Sequence, residues 1–267
     1  MASIPMEPFT FRRSPAARYR HSLWLLTSRD LKVRYSTSAL GYLWSILDPL
    51  LMSAIYWFVF TQVFQRPAGT EPYIVFLLAG LLPWMWFNGA LSDSTRAFLR
   101  SAKLVRSTSI PRTIWVNRIV LAKGIEFVAA IPVLVVFAIL AGAQVNWEIV
   151  FFPLAIILQA ILTVGLGLII APLVVFFRDL ERVVKLILRF AFYASPIIYA
   201  TADLPEAMQP WAGLNPLSGI FSMYRAGFFP EMLDANLIWQ SALISAILLV
   251  VGILVFRRSE RAVLKEL

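Results

Sequence analysis

The chain has 267 residues, 60% of them hydrophobic and 15% charged, with a formal net charge of +9 and a mean hydropathy of +0.76. Soluble domains sit near 45–50% apolar and about 25% charged, so this composition excludes a disordered chain and argues against a soluble enzyme. With no cysteine and His21 as the sole histidine, a disulfide framework, a cysteine-ligated metal, a histidine-based triad and a paired-histidine zinc motif are all excluded.

Residues 17–35, ARYRHSLWLLTSRDLKVRY, precede the first long apolar block. Leu23, Trp24, Leu26, Leu31 and Val33 share a broad helical face, with His21, Ser28, Arg29 and Lys32 opposite. The pattern predicts a basic amphipathic helix lying on the cytosolic leaflet; the plainer alternative is a solvated arm. A bilayer core about 30 Å thick needs about 20 apolar helical residues. The first block, Ala39–Phe64, meets that length and carries one charge, Asp48, ahead of Pro49. Tyr56, Phe60 and Phe64 recur at i, i+4 and i+8, which places them on one face.

A second span over 73–97 is apolar from Tyr73 to Leu91, with Trp84, Trp86 and Phe87 beside Pro83. Residues 97–113, AFLRSAKLVRSTSIPRT, then form a basic connection longer than a turn needs, closed by Pro111. Phe98, Leu99, Ala102, Leu104 and Val105 give it apolar contact points, so it reads as a docking helix for a cytosolic partner, or else as a positive anchor. A third span over 114–141 is apolar from Gly124, with Glu126 at pairing distance from Lys123. The fourth, Ile149–Phe177, has no charge; its Gln159 and Thr163, one turn apart, read as interhelical glue. The fifth, Val183–Ala200, carries Lys185 and Arg189, which can snorkel toward one interface. Tyr193 and Tyr199 follow them.

Residues 201–236 are rich in Pro and Gly yet too apolar for a water-exposed loop. Trp211, Phe221, Tyr224, Phe228 and Phe229 suit a membrane interface. Two short helices dipping into the outer leaflet are predicted, broken around Leu214–Pro216. Broken backbone at that depth is tolerated only inside protein or beside a cavity, so this segment reads as a gate or pathway wall; a plain amphipathic surface helix is the alternative. The sixth span is Leu237–Phe256.

Every Lys and Arg except Arg66 and Arg225 lies in the N-terminal arm, the connection after the second span, the entry to the fifth, or the C-terminal tail. The positive-inside rule then predicts six spans with both termini cytosolic. The positive charge is an orientation signal, not a nucleic-acid footprint. A cleaved signal peptide does not fit, because the first apolar block is too long and starts too late.

No G-x-x-x-x-G-K-[ST] or G-x-G-x-x-G phosphate cradle occurs, and no paired-carboxylate or nucleophile constellation. The chain is therefore expected not to be an enzyme, and ATP-driven transport would need an ATPase on another chain. The stretches LGYLWSILDPLLMSAIYWFVFTQVF (40–64), YIVFLLAGLLPWMWFNGALSDSTRAFLRSAKLVRSTSIPR (73–112), APLVVFFRDLERVVKLIL (171–188) and ASPIIYATADLPEAMQPWAGLNPLSGIFSMYRAGFF (194–229) resemble the permease subunits of ABC-2 type exporters of lipid-linked polysaccharides, such as O-antigen, teichoic acid, capsule and cell-wall galactan. The resemblance covers nearly the whole chain; it departs at Ile110, where many relatives place an aromatic before the proline.

The resemblance implies an all-α membrane protein forming one ABC-2 transmembrane domain over 1–267. It implies a homodimer with the translocation channel between protomers, and two separate ATP-binding subunits that hold ATP and Mg. Residues 97–113 would be the coupling helix, with Arg100, Lys103, Leu104 and Arg106 contacting the ATPase together with Arg178 and Asp179. Residues 17–35 would be the interface helix and 201–230 the gate, with Leu214, Asn215, Pro216 and Phe221 at its break. Tyr56, Phe60, Phe64, Trp84, Tyr193 and Tyr199 are candidates to line the channel, and Arg29, Lys32 and Arg34 to guide the substrate pyrophosphate. The implied substrate is a polyprenyl-pyrophosphate-linked glycan. A strong bias of Arg over Lys points to a GC-rich genome and so toward a cell-wall galactan. The rival readings are an ABC-2 permease for small amphiphiles or drugs, and a membrane-embedded transferase or scaffold.

Overall fold

A computed structural model describes residues 14–36, 43–63, 72–108 and 110–267, and among these it is helical, with no strand. The helices are α1 (Pro15–Ser36), α2 (Trp44–Trp57, continuing as a wider turn over Phe58–Val63), α3 (Tyr73–Ser94), α4 (Ala102–Ser107), α5 (Ile114–Leu140), α6 (Phe151–Phe176), α7 (Leu180–Ala194), α8 (Pro216–Ala226) and α9 (Ala235–Glu266). Among the described residues, four helical stretches are long and apolar enough to cross a bilayer: Tyr73–Ser94, Ile114–Leu140, Trp147–Phe176 and Ala235–Glu266. The fifth block is helical only to Ala194 and then passes into short turns. The connection predicted as one coupling helix is a 3-10 turn over Leu99–Ser101 followed by the single short helix α4.

α3 is apolar all round, and such a helix belongs in the interior. It is the most enclosed of the four long helices and packs on α2, α5, α6, α7 and α8. Its polar ties fit that position. Trp86 Nε1 donates to Val120 O at 3.0 Å, joining α3 to α5, and Gln159 Nε2 of α6 donates to Pro83 O at 2.8 Å. Thr163 instead bonds back to Gln159 O in its own helix, so only Gln159 of that pair acts between helices.

α6 and α9 form the most extensive helix pair. Gly165 and Gly252 meet at the crossing. A Cβ built on Gly165 would lie 2.7 Å from Leu249 N, and one on Gly252 would meet Gly165 O. Small residues let backbones approach where lipid offers no hydrophobic drive for helix pairing. At the α5–α6 turn, Gly142 has φ +67°, Ala143 N bonds Ala138 O and Gly142 N bonds Ile139 O. That is the Schellman arrangement, with glycine at the left-handed position.

The segment between α7 and α9 is held by Arg225 at the end of α8, itself 3% exposed. Its guanidinium donates to Phe76 O at 3.2 Å, Pro196 O at 2.7 Å and Ile197 O at 2.6 Å, and lies 3.5 Å over the Phe76 ring. Tyr73 OH adds a bond to Ile198 O at 3.2 Å. Backbone carbonyls in the 196–198 bend, freed by the end of α7, thus find donors on α8 and α3.

α1 packs on α5 through a face that overlaps the predicted one only in part. Leu23, Leu26 and Leu31 turn half inward as predicted, joined by Tyr19, Thr27 and Asp30, while Trp24, Leu25 and Val33 are exposed. Polar partners set this face: Asn117 Nδ2 donates to Tyr19 OH at 2.7 Å, and Arg118 reaches Asp30 at 3.2 Å.

Two substitutions report on this scaffold. Gly252→Leu is expected to lower the thermal midpoint of the detergent-solubilised protein, by the about 1–3 kcal/mol typical of overpacking or more. Arg225→Met leaves three carbonyls short of a donor, at about 1–3 kcal/mol for each buried unpaired group. It is expected to lower the midpoint and open the 195–215 segment to protease; an unchanged midpoint and digestion pattern would remove Arg225 from this role.

Candidate functional site

Three regions carry the residues singled out in the sequence. On the side bearing the basic connections, α1, the end of α3 and the start of α5 enclose a cleft of about 390 Å³. Arg29, Arg34, Arg96, Arg100 and Arg118 line it against Asp30 and Asp93. Arg34 Nη2 meets Asp93 Oδ2 at 2.7 Å and Arg34 Nη1 meets Glu126 Oε1 at 3.3 Å, while Arg100 reaches the other oxygen of Asp93 at 3.5 Å. Arg118 also donates to Ser101 Oγ at 3.0 Å and stacks 4.6 Å over Trp115. Burial raises the Asp30 carboxyl above its ordinary value, and the neighbouring Arg118, Arg29 and Arg34 pull it back down. Lys123 and Glu126 pair at 2.8 Å, as their spacing predicts.

Of the three predicted pyrophosphate cations, Arg29 and Arg34 share this cleft, whereas Lys32 is exposed outside its lining. Arg100, predicted as an ATPase contact, joins them. Arg96 and Arg118 were not singled out, although Arg96 stands one turn before Arg100.

Of the other predicted coupling residues, Lys103 and Arg106 are exposed on α4, and Leu104 packs its flank on the core. Arg178 and Asp179 are exposed in the turn before α7. Just beyond, Glu181 binds Arg96 at 2.6 Å and Lys185 at 2.6 Å. Hydrogen bonds from Arg96 and Lys185 hold the Glu181 carboxyl down at about 2.

The predicted channel aromatics converge on a residue the sequence reading passed over. Phe192 stacks on Tyr56 with centroids 5.8 Å apart, meets Trp84 edge-on at 5.6 Å and touches Tyr193 at 5.1 Å. Tyr199 OH donates to Tyr193 O at 3.2 Å, closing the cluster past the end of α7. Tyr193 is 62% exposed, so the cluster presents a free ring face. Phe64 and the side chain of Phe60 lie outside the described residues.

The predicted gate divides by role. A 3-10 turn over Gln209–Leu214 and helix α8 meet at Asn215, the predicted break. Asn215 caps α8 by accepting from Leu217 N at 3.0 Å, and its amide donates to Ser195 Oγ at 2.8 Å. Pro216 takes the first helical position, where its missing N–H costs nothing. Leu214 is exposed, but Phe221 is fully buried in the core and packs rather than facing a pathway.

The model of the ABC-2 type transporter family matches residues 21–229. An O-antigen export system permease protein, RfbA, of Klebsiella pneumoniae is 38% identical over 237 residues, 88% of this chain and 91% of that protein. The protein of the same name from Myxococcus xanthus is 31% identical over 250 residues, 92% of this chain and 95% of the relative. The polysialic acid transport protein KpsM of Escherichia coli is 25% identical over 240 residues, 88% and 92% of the two chains. The chain belongs to the ABC-2 type transporter family.

Proposed function

We propose that this chain is the membrane-spanning permease of an ATP-driven exporter that carries a lipid-linked polysaccharide outward across the inner membrane. The observation that carries the reading is the near full-length similarity to permeases named for O-antigen export, polysialic acid transport and capsule export. The small-amphiphile alternative has no such support. An O-antigen and a cell-wall galactan present the same chemistry to the chain: a polyprenyl diphosphate end and a run of sugar rings.

In this reading α2 and α7 complete six spans, both termini are cytosolic, and two copies of the chain enclose the path. Two ATP-binding subunits supply ATP and Mg chemistry from outside this chain. The exposed cations Lys103 and Arg106, with Arg178 and Asp179, form the surface that takes up their motion. Arg29 and Arg34 give the diphosphate a basic cleft at the entrance. The ring face around Phe192 lets sugars slide by stacking without a tight site. α8 and the turns before it form the outer gate.

Two experiments test this. Depleting the chain in its host is expected to accumulate lipid-linked glycan on the cytosolic side; an unchanged glycolipid pool would remove export as its role. Reversing charge with the double variant K103E/R106E is expected to cut ATPase co-purification or glycan-stimulated hydrolysis by tenfold or more, about 1.4 kcal/mol, while the thermal midpoint stays put. Full coupling in that variant would place the docking surface elsewhere.

A further inference from the structure

The cytosolic half of α7 faces a groove of about 400 Å³ against α3. α3 contributes Trp84, Asn88 and Ser92 at i, i+4 and i+8, and α7 contributes Lys185, Leu188, Arg189, Phe192 and Tyr193. The two helices run in opposite directions through the fold, so Ser92 lies at the level of Lys185 and Trp84 at the level of Phe192. The groove therefore grades from cations and small polar groups at its cytosolic end to aromatic rings at its outer end.

Arg189 is the informative member. Lys185 is neutralised by Glu181, which Arg96 also holds. Arg189 has no ion pair or hydrogen bond to any described residue, although Ile187 and Phe190 beside it are exposed apolar side chains of a membrane-facing kind. A guanidinium among such neighbours is costly unless it meets an anion. Asn88 and Ser92 are half-buried, and neither side chain is engaged by a described residue. A planar cation with neutral donors one turn apart suits phosphate oxygens, while the open ring of Tyr193 beside Trp84 suits the apolar face of a sugar.

We propose that this groove binds the phosphate headgroup of a sugar-bearing lipid, with Arg189 on the phosphate and Tyr193, backed by the buried rings of Trp84 and Phe192, on the first sugar. The assignment rests on the reading of the chain as an exporter of lipid-linked glycans, and it adds a second phosphate site beyond the basic entrance cleft. An ordinary anionic phospholipid would satisfy Arg189 but leave the rings and the amide unused. The exposed apolar residues of α7 flanking the groove give the lipid tail its place.

The test uses the permease purified with its ATPase subunits in lipid nanodiscs, and a short polyprenyl-diphosphate glycan as probe, with sugar-free polyprenyl diphosphate and phosphatidylglycerol as competitors. Arg189→Gln is expected to weaken probe binding about tenfold, and Arg189→Lys to fall between it and the parent, since the charge is kept but the planar fork is lost. Tyr193→Ala is expected to weaken the sugar-bearing probe and leave the sugar-free lipid unchanged. Parent-like binding by Arg189→Gln in an intact complex, or displacement of the probe by phosphatidylglycerol at equal concentration, would overturn the assignment while leaving export standing. Failure of the parent complex to bind the probe at all would overturn the export reading and this site with it.

Discussion

A bilayer offers no hydrogen-bond partners to a bare backbone, and the chain between α7 and α8 is not helical throughout. Arg225 answers that constraint. Each of its three nitrogens donates to a carbonyl, two of them in the bend that follows α7. The stacking over Phe76 adds to the stabilisation of the charge. Any movement that pulled the 195–198 bend away from α3 would strand those carbonyls and expose a buried cation to apolar surroundings. The bend, α8 and the Phe76 end of α3 are therefore tied together, and Asn215 ties the bend to the start of α8 as well.

The opposite face of the molecule is built on different physics. Arg34–Asp93, Arg100–Asp93 and Arg96–Glu181 are partly exposed pairs that share carboxylates. Exposed pairs are individually worth about 0–1 kcal/mol, so these can exchange partners at small cost. Arg118 is the exception, being buried against Trp115 and bonded to both Asp30 and Ser101. The contrast sets loosely held, exchangeable pairs at the Asp93 end of α3 against a fully hydrogen-bonded buried cation at its Phe76 end.

The helical class and the four long apolar stretches were legible because each rests on a long window, some 20 residues of lipid-compatible sequence. Local pairs such as Lys123–Glu126 and the break at Asn215 were legible from spacing and turn chemistry. The inner face of α1 was legible only in part, through Leu23, Leu26 and Leu31. Its apolar periodicity favours Trp24 and Val33, yet Asn117 and Arg118 on α5 supply polar partners that turn Tyr19, Thr27 and Asp30 inward. Partners from another helix carry no mark in the sequence of the first. Phe192 was missed for a related reason: in a chain with 20 phenylalanines, only the positions of Tyr56 and Trp84 in space single it out. Phe221 was over-read, since an aromatic beside a helix break looks like a gate until the packing of α8 buries it.

α3 links these parts. Its first turns carry Phe76, under Arg225; its middle carries Trp84, against Phe192; its last turns carry Ser92 and then Asp93, between Arg34 and Arg100. Pro83 stands between the outer and middle groups, and its carbonyl is held by Gln159 of α6. A proline removes one backbone bond and weakens the helix there, while Gln159 ties that point to α6, whose glycine crossing with α9 belongs to the most extensive helix pair. The helix that runs from the Arg225 clamp to the Asp93 pairs is thus pinned at its weakest point to that pair. A displacement arriving at Asp93 would pivot about that pin, shifting the aromatic groove before it reached the Arg225 clamp.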